Sequence, residues 1–173
     1  LGNEKIFWEI PRPKKQIQNP HFFNQDEITQ IIKHTPNIKH KTMLMLAYST
    51  GMRVSEVTRL KVWQIDSRRM QIIVQQAKGK KDRYVNLSPI LLDILRSYIS
   101  SYKPKPVYYL FESEATGKAY PTRTVQQIFT NAKNKAGIKK EVGIHIFAGS
   151  ARCRTGSLEN NLTILIIQRI ARC

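Results

Sequence analysis

Residues 49–57, with the sequence STGMRVSEV, place an arginine where it could bind a phosphate. Gly51 ends an apolar helical run and the pair Ser55-Glu56 opens the next helix, so Arg53 lies at the junction between two helices. A guanidinium held at such a junction can donate two parallel hydrogen bonds to phosphate oxygens. The same pattern is also typical of a solvated arginine that follows a helix stop, and these residues alone do not decide between the two.

A second cationic segment, residues 77–82 (AKGKKD), follows Arg53 along the chain. It lies between two runs, 70–75 and 83–87, that are typical of β-strands, and it contains a glycine suited to a turn. The sequence therefore predicts a β-hairpin with a basic tip, and Lys78 is placed at that tip. A solvated hairpin lysine is the alternative interpretation of this residue.

Helices must position both segments, and their locations are predicted by apolar residues at helical spacing together with capping residues. Six helices are predicted. The first extends from the capping box at 24–27 to Pro36, the second ends at Thr50, and the third covers residues 55–60. The fourth begins at Ser88-Pro89, and the last two cover residues 124–136 and 163–170. Residues 1–20 are rich in proline and lysine, which predicts an extended basic linker. Residues 21–173 are expected to form one domain.

The composition indicates the class of partner. Lysine and arginine number 29 against 12 aspartate and glutamate, which gives a formal net charge of +17. So large an excess implies a polyanionic partner, with nucleic acid as the first candidate and an anionic membrane surface as the second. The apolar runs are far shorter than the ~20 residues that span a bilayer, so no membrane partner is expected. Two cysteines fit a reducing, cytoplasmic location, and neither they nor the four histidines have the spacing of a metal site.

In their order along the chain, these segments resemble the tyrosine recombinase (phage integrase) family from about Phe22 to His145. Residues 50–56 look like the family motif around its first catalytic arginine, and residues 78–83 look like the hairpin that carries its catalytic lysine. Further matches in the same order are the strand 84–87, the helix after Pro89, residues 124–129, Ala136-Gly137-Ile138 and His145. No single motif is unique, but the ordered set is specific.

The resemblance implies a mechanism that needs no metal, no cofactor and no small-molecule substrate. A tyrosine attacks a phosphate of double-stranded DNA and forms a 3′-phosphotyrosyl link, which a second strand then resolves. In that mechanism Arg53 neutralises charge on the scissile phosphate, and Lys78 donates a proton to the departing 5′-oxygen. His145 matches the histidine of the family's phosphate clamp, with an ordinary loop histidine as the alternative. Contacts to the DNA backbone are expected from Lys80, Lys81 and Arg83.

The fold that the resemblance implies is α+β and mainly α. It is a helical catalytic domain with a small antiparallel three-stranded sheet, of the DNA breaking-rejoining enzyme type. Arg53 and the cations of the hairpin are expected on one basic concave face. Members of the family form tetramers on DNA, and without the family's C-terminal segment this chain is expected to assemble poorly.

Two stretches depart from the family pattern. The family has an arginine three residues after the histidine, where this chain has Ala148, and residues 147–157 show no helical period although the family has an amphipathic helix there. Residues 170–173 depart again, before the position of the nucleophilic tyrosine, and no nucleophile is assigned. Arg152 and Arg154 are poor substitutes for the missing arginine, because a loop gives no accurate placement. We interpret both stretches as products of reading-frame shifts and expect a truncated domain that binds DNA without cleaving it.

Two other classes of protein remain open from the sequence alone. A non-catalytic basic protein that coats DNA or RNA explains the charge equally well. An RNA-binding protein of ribosomal type explains the isoelectric point near 10.1 but gives no account of residues 51–56. The ordered set of Arg53, Lys78 and His145 favours a recombinase ancestry.

Overall fold

The computed structural model describes residues 22–75 and 82–152, with the backbone only for residues 150–152. In chain order its elements are α1 (Gln25–Lys33), α2 (Ile38–Thr50), α3 (Val54–Thr58), a 3₁₀ turn (Val62–Gln64), β1 (Ile65–Asp66), β2 (Gln71–Val74), β3 (Arg83–Asn86), α4 (Pro89–Ser101), α5 (Thr122–Lys135) and α6 (Ile144–Arg152). The described part of the chain is thus mainly helical around one small sheet, as expected.

Three helix ends, the starts of α1 and α4 and the end of α2, lie where the capping residues predict them. Asn24 accepts a hydrogen bond from the backbone N–H of Glu27, and the Glu27 carboxylate accepts one from the backbone N–H of Asn24, both at 2.8 Å. Ser88 caps α4, whose first residue is Pro89. Helix α2 ends at Gly51, which has a φ of 61°, a conformation that costs glycine little because it has no Cβ atom. The chain can therefore turn sharply between α2 and α3.

The sheet is antiparallel with the strand order β1-β2-β3. Ile72 is buried at its centre, opposite Ile65 on one side and Val85 on the other. The expected three-stranded antiparallel sheet is confirmed, and its hairpin strands lie within the predicted runs 70–75 and 83–87. Strand β1 has only two residues, too few for an alternating pattern to be visible in the sequence.

Helix α2 forms the centre of the core. Residues 42–48 are all buried, and the helix packs against the five other α-helices of the described chain. Aromatic rings connect it to its neighbours: the ring centroid of Phe147 lies 5.4 Å from that of Tyr48, 5.2 Å from that of Phe129 and 6.2 Å from that of Phe23. These contacts join α2, α5, α6 and the segment just before α1 into one apolar core.

Helix α6 corrects one prediction from the sequence. The expected absence of a helical period from residue 147 onward is wrong as far as Arg152, because α6 continues to that residue. Its buried residues are Ile144, Phe147 and Ala148, at the spacing i, i+3 and i+4. The apolar stripe begins before residue 147, so a segment that starts there does not show it. The frame-shift interpretation loses its support over this helix.

Several predicted features lie outside the described residues, among them the linker 1–20, the hairpin tip at 76–81 and the helix at 163–170. Within residues 22–75 and 82–152, no helix is both long and apolar enough to cross a membrane.

Candidate nucleic-acid interface

Arg53 is fixed by buried neighbours on both sides. Met52 and Val54 are buried in the core, so the backbone at the α2–α3 junction is anchored while the Arg53 side chain extends outward. The backbone N–H of Arg53 donates a hydrogen bond of 2.8 Å to Oε2 of Glu56, the third residue of α3. This bond satisfies one of the free N–H groups at the helix start. The result is a side chain that is 49% exposed on a rigid base.

The carboxylate of Glu56 joins two guanidinium groups. Its Oε1 lies 3.1 Å from Nη1 of Arg53, and its Oε2 lies 2.7 Å from Nη2 of Arg83 on β3. Glu56 is only 10% exposed, so both ion pairs are shielded on the carboxylate side. Such charge-assisted bonds are shorter and stronger than neutral ones. One acidic side chain therefore holds the helix junction and the hairpin strand together.

The two guanidinium groups differ in how accessible they are. Arg83 is mostly covered, and its Nε is buried without a hydrogen-bond partner among the described residues. Arg53 is half exposed and has no second acidic partner in that part of the chain. A guanidinium has five N–H donors in a planar fork, so those of Arg53 not used by Glu56 can bind an anion such as a phosphate.

A cleft of about 280 Å³ opens beside this network, between α3, the 3₁₀ turn and β2. Its wall carries Glu56 together with two cationic side chains, Arg59 and Lys61. The remaining lining residues are Met52, Ser55, Leu60, Gln64, Val74 and Gln75. Beyond Arg53, cationic side chains thus continue past the end of α3.

The other predicted site residues fall into two groups. His145 is exposed in the first turn of α6, and Ala148, one turn further, is buried against the core. Lys78, Lys80 and Lys81 lie outside the described residues, so the convergence of Arg53 and Lys78 stays a prediction. The structure brings together Arg53 and Arg83, through Glu56.

The bridging contacts of Glu56 are not predicted from the sequence, where Ser55-Glu56 indicates only the start of a helix. The available signal was its position three residues after an arginine, where a carboxylate can reach back to the backbone N–H. Its bond to Arg83 spans 27 residues, and no local pattern indicates such a contact.

A second polar group, the Lys39 cluster, lies at the start of α2, the end opposite Arg53. The buried ammonium of Lys39 donates hydrogen bonds to the Tyr102 hydroxyl at 2.7 Å and to the carbonyl of Glu112. Burial lowers the pKa of Lys39, against the opposing effect of the Glu114 and Glu112 carboxylates. Burial and the hydrogen bond to Glu114 raise the pKa of Tyr102 to about 12. The cluster, completed by His40 and Tyr120, fastens the segment before α5 to α2 and α4.

Metal ligands are not grouped in the described ranges, where no three His, Cys, Asp or Glu side chains could hold one ion.

The sequence matches the profile of the phage integrase family over residues 21–151. A putative integrase/recombinase of Sinorhizobium fredii is 38% identical over 136 residues, which cover 79% of this chain and 44% of that protein. Tyrosine recombinase XerC of Lactobacillus leichmannii is 31% identical over 176 residues, covering 94% of this chain and 57% of the relative. The chain thus spans about half the length of the curated relatives it matches.

Solved structures share the fold. The crystal structure of XerA recombinase superposes with a TM-score of 0.71 at 27% identity, over 91% of this chain and 56% of that one. A lambda integrase tetramer bound to a Holliday junction gives a TM-score of 0.69 at 18% identity, over 88% of this chain and 47% of that one. At that lower identity the likeness concerns the fold alone. The mainly helical architecture with a small antiparallel sheet is therefore the one that these recombinases have.

Proposed function

The chain belongs to the phage integrase family, and from this membership we propose that it is the DNA-binding catalytic-domain portion of a site-specific tyrosine recombinase. For the whole protein we propose DNA integration and recombination through a 3′-phosphotyrosyl intermediate. Assembly as a tetramer on double-stranded DNA belongs to the same proposal, in analogy with the lambda integrase tetramer on a Holliday junction.

The observation that carries the proposal is the anchored, half-exposed guanidinium of Arg53. Glu56 fixes its position and at the same time ties β3 to the helix junction through Arg83. The two chain segments that the family uses for its catalytic arginine and lysine are thereby linked by one carboxylate. In this proposal Arg53 binds the scissile phosphate, Lys78 approaches the same phosphate from the hairpin, and Lys80, Lys81 and Arg83 support the DNA backbone.

We further propose that this 173-residue chain binds DNA without cleaving it. Three residues after His145, where the family has the second arginine of its phosphate clamp, the chain has Ala148. That alanine is buried in α6, so its position contributes a methyl group to the core and no cation to a phosphate. Loss of one preorganised charge at a transition state costs roughly two to three orders of magnitude in rate.

Binding is tested by fluorescence anisotropy with a labelled DNA duplex at several salt concentrations. Arg53→Ala is expected to weaken binding and to reduce the slope of log affinity against log salt by about 0.9, because one phosphate contact is lost. Arg96→Ala is the matched control, since Arg96 is an exposed arginine on α4 that pairs with Asp93. Equal affinities for the two variants would refute the role of Arg53. Equal competition by an RNA duplex would favour a general nucleic-acid coat protein.

Cleavage is tested with a nicked suicide substrate, in which a covalent protein–DNA adduct accumulates because religation is blocked. The expected result is no adduct on a denaturing gel, under salt conditions where the duplex is bound. An adduct would contradict the proposed inactivity while supporting the recombinase chemistry.

A further inference from the structure

An aromatic patch lies on the surface beside the site described above, and its aromatic rings have no role in that site. The Trp63 patch consists of Lys61, Trp63, Val107 and Tyr108. Trp63 is 55% exposed, Tyr108 50% and Val107 86%, although large apolar side chains are normally buried. Contiguous exposed apolar groups of this kind mark interaction surfaces.

The patch is built on paired backbone rather than on a loose loop. The backbone N–H of Val62 donates to the carbonyl of Tyr108 at 3.1 Å, and that of Leu110 donates to the carbonyl of Leu60 at 2.7 Å. Residues 107–110 therefore run antiparallel beside residues 60–62, which brings Tyr108 next to the start of the 3₁₀ turn that carries Trp63.

A single carboxylate stiffens the outer segment further. Oε1 of Glu112 accepts hydrogen bonds from the backbone N–H groups of Val107, Tyr108 and Tyr109, at 3.2, 2.8 and 3.1 Å. A carboxylate that accepts several backbone N–H groups holds them in one arrangement. The exposed rings are therefore presented at low conformational cost, which is what a binding surface needs.

The charge on the patch is positive. Nζ of Lys61 lies 5.6 Å from the ring centroid of Trp63 and 5.0 Å from that of Tyr108, so the ammonium is held beside both rings. Neither Lys61 nor the exposed Arg59 forms an ion pair with an acidic side chain of the described ranges. Two acidic side chains border these cations and both are engaged in other contacts: Glu56, which lines the same cleft, pairs with Arg53 and Arg83, and Glu112 accepts three backbone N–H groups.

A ligand for this surface must combine flat apolar groups with negative charge. Unpaired nucleotides have both, because their bases stack on aromatic rings and their phosphates bind cations. Both ring centroids lie within 5.6 Å of the same Nζ atom, so the two rings are close enough for nearby bases of one strand to contact both. Arg59 and Lys61 also line the cleft beside Glu56, so the patch is continuous with the candidate interface.

We propose that the Trp63 patch binds unpaired bases of a DNA strand by stacking on Trp63 and Tyr108, with Lys61 and Arg59 on the phosphates. The inference rests on the proposed function only for the class of ligand, which is DNA. A second copy of this chain is a poorer occupant, because its own net charge of +17 opposes approach to a cationic patch. An acidic peptide is the competing occupant, and the experiment includes it.

Trp63 itself supplies the readout. The sequence has two tryptophans, so a Trp8→Phe variant of the full chain leaves Trp63 as the only tryptophan. Titration with a thymidine oligonucleotide, which has little structure of its own, is expected to quench its emission, because a base stacks on the indole. In the same background Tyr108→Ala is expected to lower the affinity for the oligonucleotide roughly tenfold, since one base–aromatic stack is lost. Tyr108→Phe keeps the ring and is expected to bind like the parent.

The outcomes separate this inference from the proposed function. Unchanged Trp63 emission and equal oligonucleotide affinity of Tyr108→Ala, while duplex DNA is still bound through Arg53, would overturn the patch proposal alone. Quenching by a glutamate-rich aromatic peptide but not by the oligonucleotide would assign the patch to a protein partner and also overturn it. Failure to bind either form of DNA would refute the proposed function. Thermal unfolding of each variant is measured alongside, and because both rings are exposed the folded state is expected to persist.

Discussion

Glu56 controls both the charge and the geometry of the candidate interface. Its carboxylate accepts hydrogen bonds from the Arg53 backbone, from the Arg53 guanidinium and from the Arg83 guanidinium. Without it, two cations would face each other with the Nε of Arg83 already buried and unpaired. A residue that makes no proposed contact with the phosphate thus determines where the phosphate-binding cation lies.

Replacing that carboxylate is therefore expected to cost stability. Glu56→Gln keeps the shape but removes the charge, so the free energy of unfolding should fall by about 2 kcal/mol, as when hydrogen bonds to charged groups are lost at a mostly buried site. Urea unfolding measures it. Asp93→Asn is the control, because the Asp93–Arg96 pair is exposed on both sides and its loss should change the free energy by less than about 1 kcal/mol. Equal effects of the two substitutions would contradict the bridging role.

His40 is expected to make stability depend on pH. Burial lowers the pKa of His40 below the ordinary 6.5, the charge of Lys39 lowers it further, and Glu114 opposes both. The unfolded chain then binds a proton more readily than the folded chain, so this stability is complete above about pH 6.5 and decreases as the pH falls toward the folded pKa. Its Nε2 also lies 3.0 Å from the Tyr120 hydroxyl.

The measurement is urea unfolding at about pH 7.5 and about pH 5.5, on either side of the ordinary histidine pKa. From the higher to the lower pH, the free energy of unfolding of the parent should decrease more than that of His40→Gln, because the neutral amide of glutamine cannot take up a proton. His34→Gln changes an exposed histidine on α1's C-terminal side and should behave like the parent. If the parent and His40→Gln lost the same free energy of unfolding, His40 would not be the source of the pH dependence.

At the scale of elements, the sequence predicts what local signals specify and misses what distant contacts decide. The capping box at Asn24, the glycine stop at Gly51 and the Ser88-Pro89 start locate helix ends, because each acts within one turn. Long-range partners leave no such signal: Lys39 binds Tyr102, 63 residues away, and Glu112, 73 residues away. Glu56 shows both cases: its bonds to Arg53 lie within one helical turn, whereas its bond to Arg83 spans 27 residues and has no local signal.

Helix α6 is a test at this scale, because the sequence from residue 147 onward predicts no helix while the structure continues the helix to Arg152. Phe147 is fully buried and its ring contacts those of Tyr48 and Phe129. Phe147→Ala should lower the free energy of unfolding by about 3–5 kcal/mol, the cost of emptying an aromatic site in a core. The exposed His145 in the same helix is the control, and His145→Ala should change it by less than about 0.5 kcal/mol. A small effect of Phe147→Ala in urea unfolding would mean that α6 is not part of the core.

The whole molecule combines a rigid apolar core with an excess of positive charge that the core does not need. The chain carries a net charge of +17, and in its described part acidic residues such as Glu56, Glu27 and Glu112 are engaged in internal contacts. In residues 22–75 and 82–149, most lysine and arginine side chains form no ion pair with an acidic side chain of these ranges, which leaves them available to a polyanionic partner.

This distribution predicts how DNA changes the stability of the whole chain. A ligand that binds only the folded state stabilises it by about 2.7 kcal/mol at a hundredfold excess over Kd, which should raise Tm by roughly 5–10 °C for a domain of this size. Thermal unfolding followed by circular dichroism, with and without duplex DNA, measures the shift. The shift should be large at low salt and vanish in high salt, because released counterions drive the binding. A shift that survives high salt would instead indicate a mainly apolar contact, and no shift at low salt would contradict DNA binding by the folded chain.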